Sequence, residues 1–227
     1  MQRLMYLFAR FLVIPASRLL FVRHVSGVEN LPACGPYIIA ANHSSYIDHF
    51  LLVSTVLKHR GKTLNFLTRK EAFEGYWSKL WHVANGCVQV DRASPEIASF
   101  RAMVGLLKRG SIVVIYPEGT RSVDGTPLPP KPGVIKLGLH TGVPVIPVGI
   151  HGAHKILPKG RIVPRPARAT LAIGAPLYFG ERIADPKSKE AVERELHHIM
   201  GEINRLAATH DTSQAMTPAS RVPATSK

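Results

Sequence analysis

The chain has 227 residues, with 29 Lys+Arg against 15 Asp+Glu, a formal net charge of +14, 45% hydrophobic residues and 19% charged ones. That length suits one domain with a sizeable core, and the hydrophobic fraction excludes both a disordered polycation and a bundle of membrane spans. The excess of bases calls for an anionic partner, whether nucleic acid, an anionic membrane surface or a phosphorylated substrate, and charge alone does not choose among them.

Residues 1–25 read as an amphipathic helical segment. Arg3, Arg10 and Ser17 recur every seven residues and so line one narrow polar stripe, while Leu4, Met5, Leu7, Phe8, Phe11, Leu12 and Val13 cover most of the remaining circumference. Arg10, Pro15 and Arg18 interrupt the apolar run, which is therefore shorter than the roughly 20 residues of a spanning helix and lacks the layout of a signal peptide. Two readings fit: a core helix with snorkelling arginines, or a helix lying in the headgroup layer of an anionic membrane. Arginines on so apolar a helix favour the second.

From there the chain alternates. An extended piece at 21–28 and turn material at 29–36 lead to a buried strand at 37–41 and a helix at 46–58. A strand at 64–68, a short helix at 77–84 and a strand at 87–91 follow. Ser94 then caps a helix with Pro95 in its first position, ended by Gly110. A strand at 112–116 runs into a Gly/Pro-rich loop at 122–133, long enough to suggest function. A helix at 134–141, strands at 143–150 and 167–173, and a final helix at 189–208 complete the domain. In that last helix Val192, Leu196, Ile199, Ile203 and Leu206 form the apolar stripe. Residues 209–227 are rich in Thr, Ser, Ala and Pro and read as a disordered tail. The pattern predicts an α/β domain over 26–208, a single mainly parallel sheet flanked by helices, preceded by the N-terminal membrane-interface helix.

Four motifs fall at strand ends. Asn42-His43-Ser44-Ser45-Tyr46-Ile47-Asp48 follows the first buried strand, where open α/β sheets place their ligands. Residues five apart on a continuous helix diverge by about 140°, so His43 and Asp48 meet only if His43 sits in the turn and Asp48 in the first helical turn. Asp48 would then fix the imidazole tautomer and leave Nε2 as a base. Ser45 and Asp48 are also spaced as a capping box, which gives Asp48 a structural role instead. Tyr116-Pro117-Glu118-Gly119-Thr120-Arg121-Ser122 lies at a second strand end: Gly119 permits a tight turn, Arg121 offers a fork suited to phosphate, and Glu118 could orient that arginine or bind a hydroxyl. Val88-Gln89-Val90-Asp91-Arg92 delivers another arginine just past a strand, and Val143-Pro144-Val145-Ile146-Pro147-Val148 reads as a wall. Cys34 and Cys87 show neither metal spacing nor a disulfide framework, in keeping with a reducing compartment. Two other function classes fit parts of the pattern. One is a nucleic-acid-binding module resting on the charge, although no aromatic stacking platform accompanies it. The other is a metal-dependent phosphoesterase built on His43, Asp48 and His49.

Taken together and in this order, the four blocks resemble the glycerophospholipid acyltransferase family, typified by PlsC-type 1-acyl-glycerol-3-phosphate acyltransferases. The lead-in Gly27-Val28-Glu29-Asn30-Leu31-Pro32 and the pair Lys70-Glu71 are similar too, and the likeness runs from about residue 26 to 180. The resemblance implies that His43 is the general base, oriented by Asp48, and that the acceptor oxygen attacks an acyl thioester directly. It implies that Glu118, Gly119, Thr120 and Arg121 bind the glycerol-phosphate acceptor, with Arg92 and Lys70 adding charge at its phosphate. The donor would be acyl-CoA or an acyl carrier protein thioester, with no metal, no other cofactor and no nucleic-acid partner. The acceptor would be lysophosphatidic acid or, within the same chemistry, glycerol 3-phosphate, another lysophospholipid or a lyso-aminolipid. The enzyme would sit on the cytoplasmic face of an anionic membrane, peripheral or monotopic. One stretch departs from the family: Ala72-Phe73-Glu74-Gly75-Tyr76-Trp77 lacks the proline expected before the second block.

Overall fold

The computed structural model describes residues 2–69, 87–90, 95–158, 160–161 and 163–209. Lys70, Arg92, the helix expected at 77–84, the Ser94 cap and the tail beyond residue 209 lie outside the described residues. Seven strands form one sheet: β1 Val22–Ser26, β2 Tyr37–Ala41, β3 Leu64–Arg69, β4 Cys87–Val90, β5 Ile112–Ile115, β6 Val145–His151 and β7 Ala169–Ile173. Their order is β1-β7-β6-β2-β5-β3-β4. All neighbours run parallel except β6 and β7, which are antiparallel. The central strand β2 is fully buried on both faces, as a parallel strand covered by helices on each side must be.

Odd and even positions of β2 feed two cores. Ile39 and Ala41 face the helix Ile47–Arg60 and the N-terminal helix, with Leu51, Val56, Phe66 and Val114 in the same cluster. Ile38 and Ala40 face the helices Pro95–Lys108, Gly133–Thr141 and Lys189–Ala208. The last of these begins on Ser188, whose hydroxyl accepts from Ala191 N at 3.2 Å, and buries Val192, Leu196, Ile199, Ile203 and Leu206. Each such side chain contributes about 1.5–3 kcal/mol on burial. Two short helices that carry no periodic signal, Ala153–Ile156 and Phe179–Arg182, complete the element order. Gly149 of β6 lies directly beneath the last helix: a Cβ there would sit 2.2 Å from Ala207 N and 2.4 Å from Leu206 C, so the position admits glycine alone.

The N-terminal segment forms a helix from Gln2 to Phe21, widened to a π-helical turn at Ala9–Val13. Pro15 explains the widening. Its missing N–H and its ring are incompatible with a regular turn, and Ile14 N instead bonds to Ala9 O, five residues back. Ser17 is buried and its hydroxyl donates to Ile14 O at 2.7 Å; Arg10 is partly covered and donates to Tyr6 Oη at 3.1 Å. Arg18 is partly buried as well. The stripe of residues 10 and 17 therefore faces the domain, while Phe11 and Leu19, 70% and 76% exposed, project outward together with Leu4, Leu12 and Leu20. Within the extended piece expected at 21–28, residues 22–26 form strand β1, paired with β7.

Strands β5 and β6 are both parallel to β2, so the C-terminal ends of all three share one edge of the sheet. The chain leaves β2 toward β3 and β5 on one side and returns to β6 on the other, which makes that edge the topological switch point. Because β7 is antiparallel to β6 and parallel to β1, the residues just before β1 and β7 reach the same edge.

Candidate active site

His43 and Asp48 meet as the strand-to-helix geometry requires. His43 lies in the turn after β2 and Asp48 in the first turn of the helix Ile47–Arg60, with His43 Nδ1 2.8 Å from Asp48 Oδ2. The same oxygen accepts the main-chain N–H groups of Ser44 at 2.9 Å and Ser45 at 2.8 Å. The capping and orienting roles of Asp48 are thus not alternatives: one oxygen serves the turn and the imidazole together. The carboxylate is completely buried, whereas the His43 side chain is 12% exposed. An acceptor-only carboxylate at Nδ1 holds the ring proton there and leaves the Nε2 lone pair as the basic site.

The main chain of His43 is gripped from both ends by the turn that follows β5. Its N–H donates to Glu118 Oε1 at 3.0 Å, and its carbonyl accepts from Ser122 N at 2.9 Å. The other Glu118 oxygen accepts from Leu128 N at 3.0 Å, so both its oxygens are engaged by backbone. Glu118 was expected at the acceptor; here it is a buried tie between the base, its own turn and the Gly/Pro-rich loop. Burial raises its carboxyl above the ordinary value, opposed by those two N–H groups. Gly119 adopts φ +68°, the left-handed conformation that lets the turn close between its two anchors, and its N–H returns to Tyr116 O at 3.0 Å. Gly119 and Thr120 are exposed at the tip. Arg121 follows them, its guanidinium carbon 3.4 Å from the centre of the Tyr46 ring.

Sequence reasoning assigned no role to Asn42 and Tyr116, and to Ser45 only a place in a capping box. Asn42 binds β6 through both ends of its amide, donating to Ile150 O and accepting from Ile150 N, each at 2.8 Å. Ser45 Oγ donates to Leu157 O at 2.6 Å and accepts from Ile47 N at 3.2 Å. Tyr116 stacks on the His43 ring, with centroids 3.9 Å apart and planes 13° from parallel. Burial, reinforced by the nearby Asp48 charge, pushes the Tyr116 hydroxyl well up, so the ring remains neutral. The only signal for these residues was their place inside the two motifs. The loop after Ser122 is ordered at its start: Asp124 Oδ1 accepts from Thr126 Oγ1 at 2.6 Å, Thr126 N at 3.0 Å and Ser122 Oγ at 3.1 Å. Those bonds, led by the Thr126 hydroxyl, bring its carboxyl down to about 2. Behind the turn, a cavity of about 300 Å³ extends from Asn42 and Ser44 past His151 and His154 to Asn204 and Ala208 at the end of the last helix. Among the described residues no group of three or more His, Cys, Asp or Glu is arranged to hold a metal ion.

This His–Asp pair, with an arginine-bearing turn fastened to it at the edge of a mainly parallel sheet, belongs to a known class. A family model described as Acyltransferase matches residues 22–151, and the chain is a member of that family. Among its relatives, the 1-acyl-sn-glycerol-3-phosphate acyltransferase of Bacillus subtilis is 30% identical over 162 residues, spanning 71% of this chain and 76% of that protein. The chloroplastic 1-acyl-sn-glycerol-3-phosphate acyltransferase BAT2 of Brassica napus is 32% identical over 143 residues, 60% of this chain and 39% of its own length. In fold, the chain is similar to the crystal structure of the 1-acyl-sn-glycerophosphate (LPA) acyltransferase PlsC from Thermotoga maritima. The TM-score is 0.68 at 24% identity, covering 97% of this chain and 81% of that one.

Proposed function

We propose that this enzyme transfers a fatty acyl group from a thioester, acyl-CoA or acyl carrier protein, to the free hydroxyl of 1-acyl-glycerol 3-phosphate, giving phosphatidic acid and a free thiol. The observation that carries the reading is the joint between the two motifs: the base-bearing turn and the Arg121-bearing turn are bonded to each other at residues 118 and 122. His43 Nε2 takes the hydroxyl proton as the acceptor oxygen attacks the thioester carbonyl, and Asp48 stabilises the imidazolium that forms. The tetrahedral intermediate collapses with loss of thiolate, which takes the proton back from His43. A thiolate of pKa about 8.5 leaves with little acid assistance, so one base and good positioning suffice. Arg121, with Gly119 and Thr120 at the exposed tip and Lys70 and Arg92 beyond the described residues, supplies the site for the acceptor phosphate.

The outward apolar face of the N-terminal helix supports a location on a membrane surface, where a lipid acceptor resides. Among the described residues no helix is long and apolar enough to cross a membrane, and the exposed Phe11, Leu12, Leu19 and Leu20 suit insertion to the depth of the headgroups. The test is a matrix of donors (acyl-CoA, acyl carrier protein) against acceptors (lysophosphatidic acid, glycerol 3-phosphate, other lysolipids) in detergent micelles. Lysophosphatidic acid should be the preferred acceptor, and His43→Ala should lower turnover by about 10² or more. Undiminished turnover in that variant would overturn the mechanism.

A further inference from the structure

Tyr46 carries a feature that the reaction as described leaves unused. It occupies the position just before the helix Ile47–Arg60, and the residue is 53% exposed although it lies in the middle of the first motif. The Arg121 guanidinium lies over that ring, its central carbon 3.4 Å from the ring centre. Arg121 Nη1 is out of contact with solvent and has no hydrogen-bond partner among the described residues. The described ion pairs of the chain do not include Arg121. An arginine without a carboxylate partner is normally free to sample many rotamers. Here one face of its planar group is covered by an aromatic platform, so its edge is presented in a fixed direction. The platform is also rigidly related to the base: two residues after Tyr46, the same helical turn supplies Asp48, whose Oδ2 stands 2.8 Å from His43 Nδ1.

We propose that Tyr46 is a positioning residue that sets the distance between the acceptor's phosphate and the base by stacking on Arg121. This rests on the reading of Arg121 as the phosphate anchor. The ring contributes its face, not its hydroxyl, and it holds Arg121 in place before substrate arrives. An acceptor phosphate bound to the edge of that guanidinium is then held at a fixed distance from His43, so that the free hydroxyl reaches Nε2. Selectivity for a phosphate-bearing acceptor is built by an aromatic residue of the first motif acting through an arginine of the third.

The experiment compares the full-length enzyme with Tyr46→Leu, Tyr46→Phe and Arg121→Ala, measuring kcat and KM for lysophosphatidic acid and KM for acyl-CoA. Tyr46→Leu should raise the acceptor KM about tenfold and lower kcat severalfold, because a loosened anchor holds the hydroxyl less well at Nε2, while the donor KM stays put. Tyr46→Phe should restore the acceptor KM to within about twofold, because the stacking face is retained. Arg121→Ala should raise the acceptor KM at least as far as Tyr46→Leu. An unchanged acceptor KM in Tyr46→Leu, with a raised one in Arg121→Ala, overturns the role of Tyr46 and leaves the phosphate anchor standing. An unchanged acceptor KM in Arg121→Ala, or no transfer to lysophosphatidic acid by the wild type, overturns the anchor and the role of Tyr46 with it. Equal losses in Tyr46→Leu and Tyr46→Phe would assign the effect to the hydroxyl and refute the stacking argument.

Discussion

Replacing Asp48 by asparagine preserves the size of the side chain and removes one charge. In the wild type Oδ2 accepts from Ser44 N at 2.9 Å and Ser45 N at 2.8 Å and faces His43 Nδ1 at 2.8 Å. An asparagine oxygen can face the same three donors, with its NH₂ taking the place of Oδ1, which is buried and unpartnered among the described residues. The turn should therefore survive. Two hydrogen bonds to an ionised acceptor, about 1.5–3 kcal/mol each, become neutral ones of about 1 kcal/mol, a stability loss of about 1–4 kcal/mol in all. Turnover should fall further, because the imidazolium loses a full counter-charge 2.8 Å away at a site with no solvent on the carboxylate side. A loss of about 3–4 kcal/mol in the transition state corresponds to about 10²–10³ in kcat. The assay follows thiol release from acyl-CoA at saturating lysophosphatidic acid, alongside a thermal melt of the same preparation. A folded Asp48→Asn enzyme turning over within about threefold of wild type would refute the role given to this carboxylate.

Glu118 and the N-terminal helix supply further tests. Burial favours the neutral form of Glu118 and places its carboxyl above the ordinary 4.5. Its contribution to stability is therefore fully present below about pH 4.5 and lost as pH rises through the raised value. In a melting series from about pH 4 to pH 7, wild type should lose stability relative to Glu118→Gln as pH rises; parallel profiles would contradict the burial argument. Phe11→Glu and Leu19→Glu alter residues 70% and 76% exposed, so melting should be unaffected. Each removes an apolar group worth about 1.5–3 kcal/mol on burial, and binding to phosphatidylglycerol vesicles should weaken about tenfold or more. Undisturbed vesicle binding would remove the helix from the membrane contact.

What the sequence reveals and conceals follows from what each signal encodes. The run Tyr37–Ala41 and the helix Lys189–Ala208 appear with the expected bounds, because a short unbroken apolar run and a long 3.6-period stripe each specify one kind of element. The N-terminal helix was recognised, but the side it turns to the domain was not. Its apolar residues surround most of the axis, and periodicity cannot say which side the domain will cover; Ile14 and Ser17 are buried, while the larger Phe11 and Leu19 are not. The antiparallel β7 had a readable cause. Between His151 and Ala169 stand Pro158, Gly160, Pro164 and Pro166, which leave no room for the long crossover helix that a parallel connection needs. At the site, the His43–Asp48 contact could be anticipated from spacing. The engagement of Glu118 by Leu128 N, ten residues on, depends on where a loop returns and leaves no local trace. The same holds for the stacking of Tyr46 and Tyr116, each of which touches a residue more than seventy positions away in sequence.

The glycine at position 149 has a consequence for the space behind the base. At that point β6 and the last helix meet main chain to main chain, with Leu206 and Ala207 resting on a position that has no side chain to interpose. A contact of this kind has no rotamers through which it can yield. The helix cannot slide across the strand by small side-chain adjustments, as most packed helices can; it must lift away as a whole or stay. The end of that helix, from Asn204 to Ala208, is the outer wall of the cavity beside Asn42 and Ser44. The wall that this helix gives the cavity is therefore pinned at one fulcrum, and a ligand entering the cavity meets that wall as it stands.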